Sequence, residues 1–351
     1  MTEPAQTASP SELSTGGGEP PPNNLFVGPH GLRPFWSLLL YLAIVLTPVM
    51  LFAVANHLSG EKALPGAKAA QYISPLTMAI TEWLQFGFVF FATWIMSRIE
   101  DRSAFDYGLA RTPRRLYWLL IGALLGLIFQ SLLIVILWST HHLVFAGVLL
   151  RPLSAVGYGF VWAIGFVGVG FFEEFLFRGY LQFGLTNCLA GLVRHVSPTS
   201  RHVEAIGFWS AAVLISFGFG FVHGLNPGES PIGLLCAGSA GLMFAFSLWR
   251  TGSLWWAIGL HAAWDWAQSF LFGVADSGGI STHRLLSTHP AGPAWLSGGA
   301  TGPEGSIFVL LVMLCIVLIA AFTLPRTRTS FLAHSMDEET HLMPQVNSAE
   351  G

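Results

Sequence analysis

Apolar residues gather in runs of roughly 20, parted by short stretches rich in arginine, glycine or proline. The runs fall at residues 35–57, 75–97, 116–138, 155–185, 205–223, 231–249, 252–272 and 306–324. About 20 apolar residues in a helix cross the hydrocarbon core of a bilayer. The pattern therefore predicts an all-α, polytopic membrane protein, a bundle of about eight transmembrane helices. The fourth run is too long for one crossing, and its second half, 181–194, is expected to leave the membrane as an interfacial helix. Residues 273–305, rich in Gly, Ser and Pro, read as a long loop. Residues 1–33 and 326–351 are polar and read as disordered tails, leaving 34–325 as the transmembrane bundle. No basic segment leads into an apolar core at the start, so no signal peptide is expected, and the Ser-Ala-Glu-Gly ending is no CaaX lipidation signal.

Composition agrees with lipid as the solvent. Of 351 residues, 53% are hydrophobic and 10% charged, against about 25% charged in soluble domains. A net charge of −3 gives no reason to expect a nucleic-acid partner. Cys188, Cys236 and Cys315 show no CxxC spacing and read as packing residues. Arginine is distributed unevenly over the connecting segments. With a cytoplasmic N-terminus, eleven arginines fall on the cytoplasmic side, while Lys62, Lys68, Arg151 and Arg284 fall outside. The positive-inside rule then predicts an integral protein of the cell membrane with both termini cytoplasmic.

A few charged residues lie within the apolar runs themselves. Glu173-Glu174 and Arg178 sit among phenylalanines in the fourth run. Each ionised residue at mid-bilayer costs roughly 2.5–3.5 kcal/mol on insertion scales, so such a cluster is expected to face a protein interior or a watery cavity. Glu174 and Arg178 are spaced i, i+4 and share a helical face, while Glu173 is rotated about 100° away. One carboxylate is thus tied to an arginine and the other is available for chemistry. The plainer reading is an ion pair that fixes helix packing. His223 ends the fifth run, where a histidine is commonly a cap. His261 and Asp265 are again i, i+4, so the Asp can fix the tautomer of the His; a satisfied buried hydrogen bond is the plainer reading. Glu82 has no visible partner and is set outside the site. Taken together, a buried carboxylate beside an imidazole can deprotonate water, and a second imidazole can stabilise an oxyanion. That is equipment for hydrolysing an amide without a covalent intermediate. No cofactor is expected, although Glu173, His223 and His261 are ligand types that suit a divalent metal such as zinc. The HExxH spacing of many zinc peptidases is absent.

Glu173-Glu174-x-x-x-Arg178-Gly179, Phe219-x-x-x-His223 and His261-x-x-x-Asp265, in that order on successive apolar runs, resemble the three motifs of the CPBP intramembrane protease family. This is the CAAX-protease and bacteriocin-processing group, with its Rce1-type prenyl-protein proteases. The resemblance covers about residues 75–272, and Asp106-Tyr107-Gly108-Leu109 resembles a weaker family feature. It implies an eight-helix bundle, a cavity open to one side of the membrane, and substrates that are membrane-tethered peptides or proteins. It implies Glu173 as the base activating water with His223, His261 and Asp265 at the oxyanion, and Glu174 and Arg178 in support. The family's usual Asn is Asp265 here. An ionised Asp only accepts hydrogen bonds, so it is expected to orient His261. Two other readings are a catalytically idle relative acting as an immunity or scaffold protein, and a proton relay. Straight, upright helices would leave Glu173 and His223 at different depths, so a tilted, late-starting or broken fifth helix is expected, with 217–221 as a place for the irregularity.

Overall fold

Proline opens four of the long helices, where its fixed φ suits the first turn and its missing N–H costs no bond. The computed structural model describes residues 24–28, 31–58, 71–327 and 331–332. The helices are α1 (Pro34–Leu58), α2 (Pro75–Ile99), α3 (Arg115–Ser139), α4 (Pro152–Glu174), α5 (Gln182–Val196), α6 (Val203–His223), α7 (Pro231–Thr251), α8 (Trp255–Trp266), the single turn α9 (Ala294–Ser297) and α10 (Phe308–Thr323). A π-helical turn, Phe175–Leu181, joins α4 to α5, and a second, Ala267–Leu271, extends α8.

Among the described residues, six helical stretches are long and apolar enough to cross a membrane: α1, α2, α3, the run Pro152–Val196, α6 and α7. The other two expected spans are helical but shorter, α10 and α8 with its π turn. On α3, Leu116, Leu120, Leu124, Ile128 and Leu132 form an exposed stripe, while Gly122, Gly126, Phe129 and Leu133 are buried on the other face. A helix apolar on both faces belongs in lipid. The 45 residues of Pro152–Val196 would measure roughly 68 Å if straight, about twice the hydrocarbon thickness. The buried face of α5, with Gln182, Thr186, Asn187 and Ala190, packs on α6.

Irregular backbone lies elsewhere than expected. The helix α6 runs unbroken through 217–221 and ends at His223, whereas the π turns follow Glu174 and Trp266. Depth is matched because Phe219 of α6 packs against the first π turn: its ring centroid is 5.0 Å from that of Phe177, and Arg178 lies over it at 4.2 Å.

The stretch read as a long loop is built into the fold. Strands β1 (Val27–Gly28) and β2 (Gly31–Leu32) pair ahead of α1. Beyond them, β3 (Gln71–Ile73) pairs in parallel with β5 (Gly279–Ser281), and β4 (Leu143–Val148) pairs antiparallel with β6 (Leu286–Pro290). These ladders fasten residues 272–307 across one end of the bundle. Parts of the expected tails are also ordered. The Phe331 ring rests 4.7 Å from Phe208 and 5.7 Å from Trp249. Residues 1–23 and 333–351 lie outside the described residues. Cys236 is buried and Cys188 and Cys315 are half-buried, all as free thiols.

Candidate active site

Two adjacent residues on a helix point in different directions, and Glu173 and Glu174 use this. Glu174 is fully buried, and its Oε1 accepts from Arg178 Nη1 at 3.1 Å and from His261 Nδ1 at 2.9 Å. The i, i+4 pair expected from spacing is present. The bond to His261 joins the first motif to the third, and spacing within α4 carries no sign of it. A carboxylate only accepts, so Nδ1 of His261 carries the proton. Its Nε2 then faces Asp265 Oδ2 at 3.4 Å and Glu173 Oε2 at 3.7 Å. Asp265 therefore approaches the outward nitrogen of His261, while Glu174 fixes the tautomer. Phe244 of α7 lies nearly parallel to the His261 ring at 5.2 Å and supports its plane.

Small residues allow the crowding. A Cβ on Gly241 would lie 2.8 Å from Arg178 Nη2, and one on Gly179 would lie 3.0 Å from the Tyr107 carbonyl. Gly108 has φ +96°, where an L-residue is strained, and its carbonyl accepts from Leu254 N just before α8 begins. The 106–109 stretch thus braces the start of the helix that carries His261.

His223 sits half-buried at the end of α6. Its Nδ1 donates to the Phe219 carbonyl at 2.8 Å, since a carbonyl cannot donate. In the neutral ring Nε2 is then a free acceptor. Among the described residues His223 makes no ion pair with Glu173. The two meet as walls of one cavity of about 220 Å³, lined also by His261, Asp265 and Glu82. Glu174 and Arg178 stand behind that wall rather than on it. Among the described residues, no three His, Cys, Asp or Glu side chains converge as a metal-ligand set. Glu173, His223 and His261 therefore do not fit a divalent ion as placed.

Several cavity residues escaped the sequence reading. Glu82 of α2, set outside the site, is on its wall, accepting from Gln85 Nε2 at 3.2 Å. Asp276, Ser277 and Glu304 enter from the loop and Glu229 from the α6–α7 turn. Ser269 Oγ donates to Asp276 at 2.8 Å, and Ser277 donates to Glu304 through both its backbone N–H and its hydroxyl. A scatter of acidic residues in a Gly/Ser-rich stretch gives no sign that a strand pairing 200 residues away will fold them inward.

Burial, and then the Asp276 carboxylate, push the Glu304 carboxyl up to about 8, and burial also raises Asp276 and Glu229. The folded value for Glu304 lies above the ordinary 4.5. Its stabilising contribution is complete below about 4.5 and is lost as pH rises through about 8. Hydrogen exchange over 272–307, corrected for intrinsic rate, is expected to show falling protection across that window. In Glu304→Gln the change should be much smaller; an equal slope in both proteins would refute this account.

Residues 155–267 match the family described as type II CAAX prenyl endopeptidase Rce1-like. No curated protein matches the chain, and no solved structure matches it. The resemblance expected from the three motifs is borne out on a segment narrower than 75–272. It holds Glu173, Glu174, Arg178, His223, His261 and Asp265, and leaves Glu82, Asp276 and Glu304 outside.

Proposed function

With an Rce1-like protease segment across residues 155–267 as premise, we infer that the chain is an intramembrane endopeptidase whose substrates are membrane-tethered peptides or proteins. The observation that carries this reading is the shared cavity. Glu173, His223, His261 and Asp265 come from three helices, and all four line it. Glu173 Oε2 is buried without a hydrogen-bond partner among the described residues, which leaves it ready to accept a proton.

In the proposed reaction a water held between Glu173 and Nε2 of His223 gives a proton to the carboxylate and attacks the scissile carbonyl. The C–O bond forms as the carbonyl π electrons move onto oxygen. His261, protonated on both nitrogens and flanked by Glu174, Glu173 and Asp265, donates from Nε2 to that oxyanion. Asp265, with Oδ2 3.4 Å from Nε2, stabilises the positive charge of the ring through its own negative charge. Collapse breaks the C–N bond, and Glu173 returns its proton to the leaving amine. No step is routed through a metal. The excess of arginine in alternate connecting segments supports an orientation in the cell membrane with both termini cytoplasmic.

The test is cleavage by purified full-length protein of membrane peptides that accumulate in a Glu173→Gln strain. Glu173→Gln keeps shape and removes the base. General-base loss costs about 10²–10⁴-fold, so kcat should fall at least that far with the melting temperature unchanged. His223→Asn should fall by about 10²-fold or more. A chelator should leave the wild-type rate unchanged. Full activity in both variants would overturn the reading, and loss of activity on chelation would restore a metal to the site.

A further inference from the structure

The cavity has a floor and a mouth, and they lie at opposite ends of the bundle. Toward one end, the space below Glu173 and Glu174 is filled by Phe175, Tyr180, Leu254, Ile258 and Leu248, each at most 3% exposed. No residue of the connecting segments at that end, 100–114, 197–202, 252–254 or 324–327, lines the cavity. Toward the other end the walls continue through His223, Asn226 and Glu229 to Asp276, Ser277 and Glu304. These belong to the α6–α7 turn and to the stretch fastened by β5 and β6. Asn226, Glu229, Asp276 and Glu304 are all half-buried.

Charge distinguishes the same two ends. Among the described residues the floor end carries ten arginines: Arg33, the group from Arg98 to Arg115, Arg194, Arg201, Arg250 and Arg326. Among the same residues the mouth end carries Arg151 and Arg284; with Lys62 and Lys68 of the sequence between α1 and β3 it still has far fewer cations than the floor end. Lys/Arg bias in short connecting segments sets orientation, with the richer side cytoplasmic. From these placements we propose that the cavity opens on the non-cytoplasmic face. The substrate is then a membrane-anchored segment on the far side of the membrane, and the peptide enters between the α6–α7 turn and the 272–307 cap. This rests on the endopeptidase reading for what happens inside the cavity, but the side of entry is independent of it. A cytoplasmic peptide would have to cross the packed floor to reach Glu173.

Sidedness is read by thiol labelling of the full-length chain, whatever its activity. In a background with Cys188, Cys236 and Cys315 replaced by alanine, single cysteines are placed at Asn226 in the mouth, at the exposed His289 of β6, and at the exposed Thr112 of the floor end. Sealed right-side-out and inverted vesicles are treated with a membrane-impermeant maleimide. Asn226→Cys and His289→Cys should label at least tenfold faster in right-side-out vesicles, and Thr112→Cys at least tenfold faster in inverted ones. The reverse pattern overturns the proposal. If His289→Cys labels from outside while Asn226→Cys labels only from inside or not at all, entry from the mouth is refuted although the orientation stands. Labelling as expected in a chain that cleaves nothing would fault the endopeptidase reading alone.

Discussion

Glu174→Ala should unfold much of the population at temperatures where Glu173→Gln remains native, although the two residues are neighbours. Removing Glu174 strands Arg178, whose side chain is 1% exposed, and strips His261 Nδ1 of its acceptor. Breaking a buried pair from one side costs roughly 3–5 kcal/mol, because the remaining charge stays desolvated. Against a typical stability of about 5–15 kcal/mol, that is a large fraction. Glu173 makes no hydrogen bond through its buried Oε2, so converting it to the amide removes little. Thermal melting in detergent, followed by tryptophan fluorescence, separates the two. The double variant Glu174→Gln/Arg178→Met, which leaves no orphaned charge, should recover part of the loss. An unchanged melting temperature for Glu174→Ala would mean that Arg178 has found another partner, and the hub role would be wrong.

That contrast marks what the sequence could say of the site. Local spacing made Glu174–Arg178 and His261–Asp265 legible, because i, i+4 neighbours share a face whatever the fold. It could not show that Glu174 holds Nδ1 of His261, since that bond spans 87 residues. The same limit applied to Glu82, which meets the cavity only because Gly168 lets α4 lie against it, with a Cβ there 3.0 Å from that of Glu82. Bilayer-length periodicity gave the helical class. It misplaced the irregular backbone, because a phenylalanine- and glycine-rich run stays helical when its neighbours supply packing, as Gly220 does against the Leu234 carbonyl. The 272–307 cap was read as loop for a related reason. Its strands are three and five residues long and pair with partners outside their own segment, so no periodicity builds up within the stretch.

One signal was present and more telling than its composition suggested. Gly122-x-x-x-Gly126 on α3 faces α8, the small-residue spacing that lets membrane helices approach closely. Here the approach is backbone to backbone. A Cβ would lie 2.1 Å from the Trp256 carbonyl at Gly122, 2.4 Å from the Leu260 carbonyl at Gly126, and 2.0 Å from the Leu119 carbonyl at Gly259. Carbon and carbonyl oxygen settle at about 3.3–3.6 Å, so any side chain at Gly259 forces α3 and α8 apart by more than about 1 Å. His261 lies two residues on, and its 2.9 Å bond to Glu174 has no slack for such a shift. Misplacement by about 1 Å can cost on the order of 100-fold in rate. Gly259→Leu should therefore lower kcat at least that far, and overpacking should add about 1–3 kcal/mol or more of instability. Gly87→Leu on α2, where nothing lies within 4 Å of the new Cβ, should change neither by comparison. Gly259→Ala separates the two effects, because it adds the clashing Cβ with little further bulk. If it melts near wild type yet loses cleavage, the close approach of α3 and α8 serves to place His261. If it keeps full activity, the helices have room that the packing of Gly122 against the Trp256 carbonyl denies.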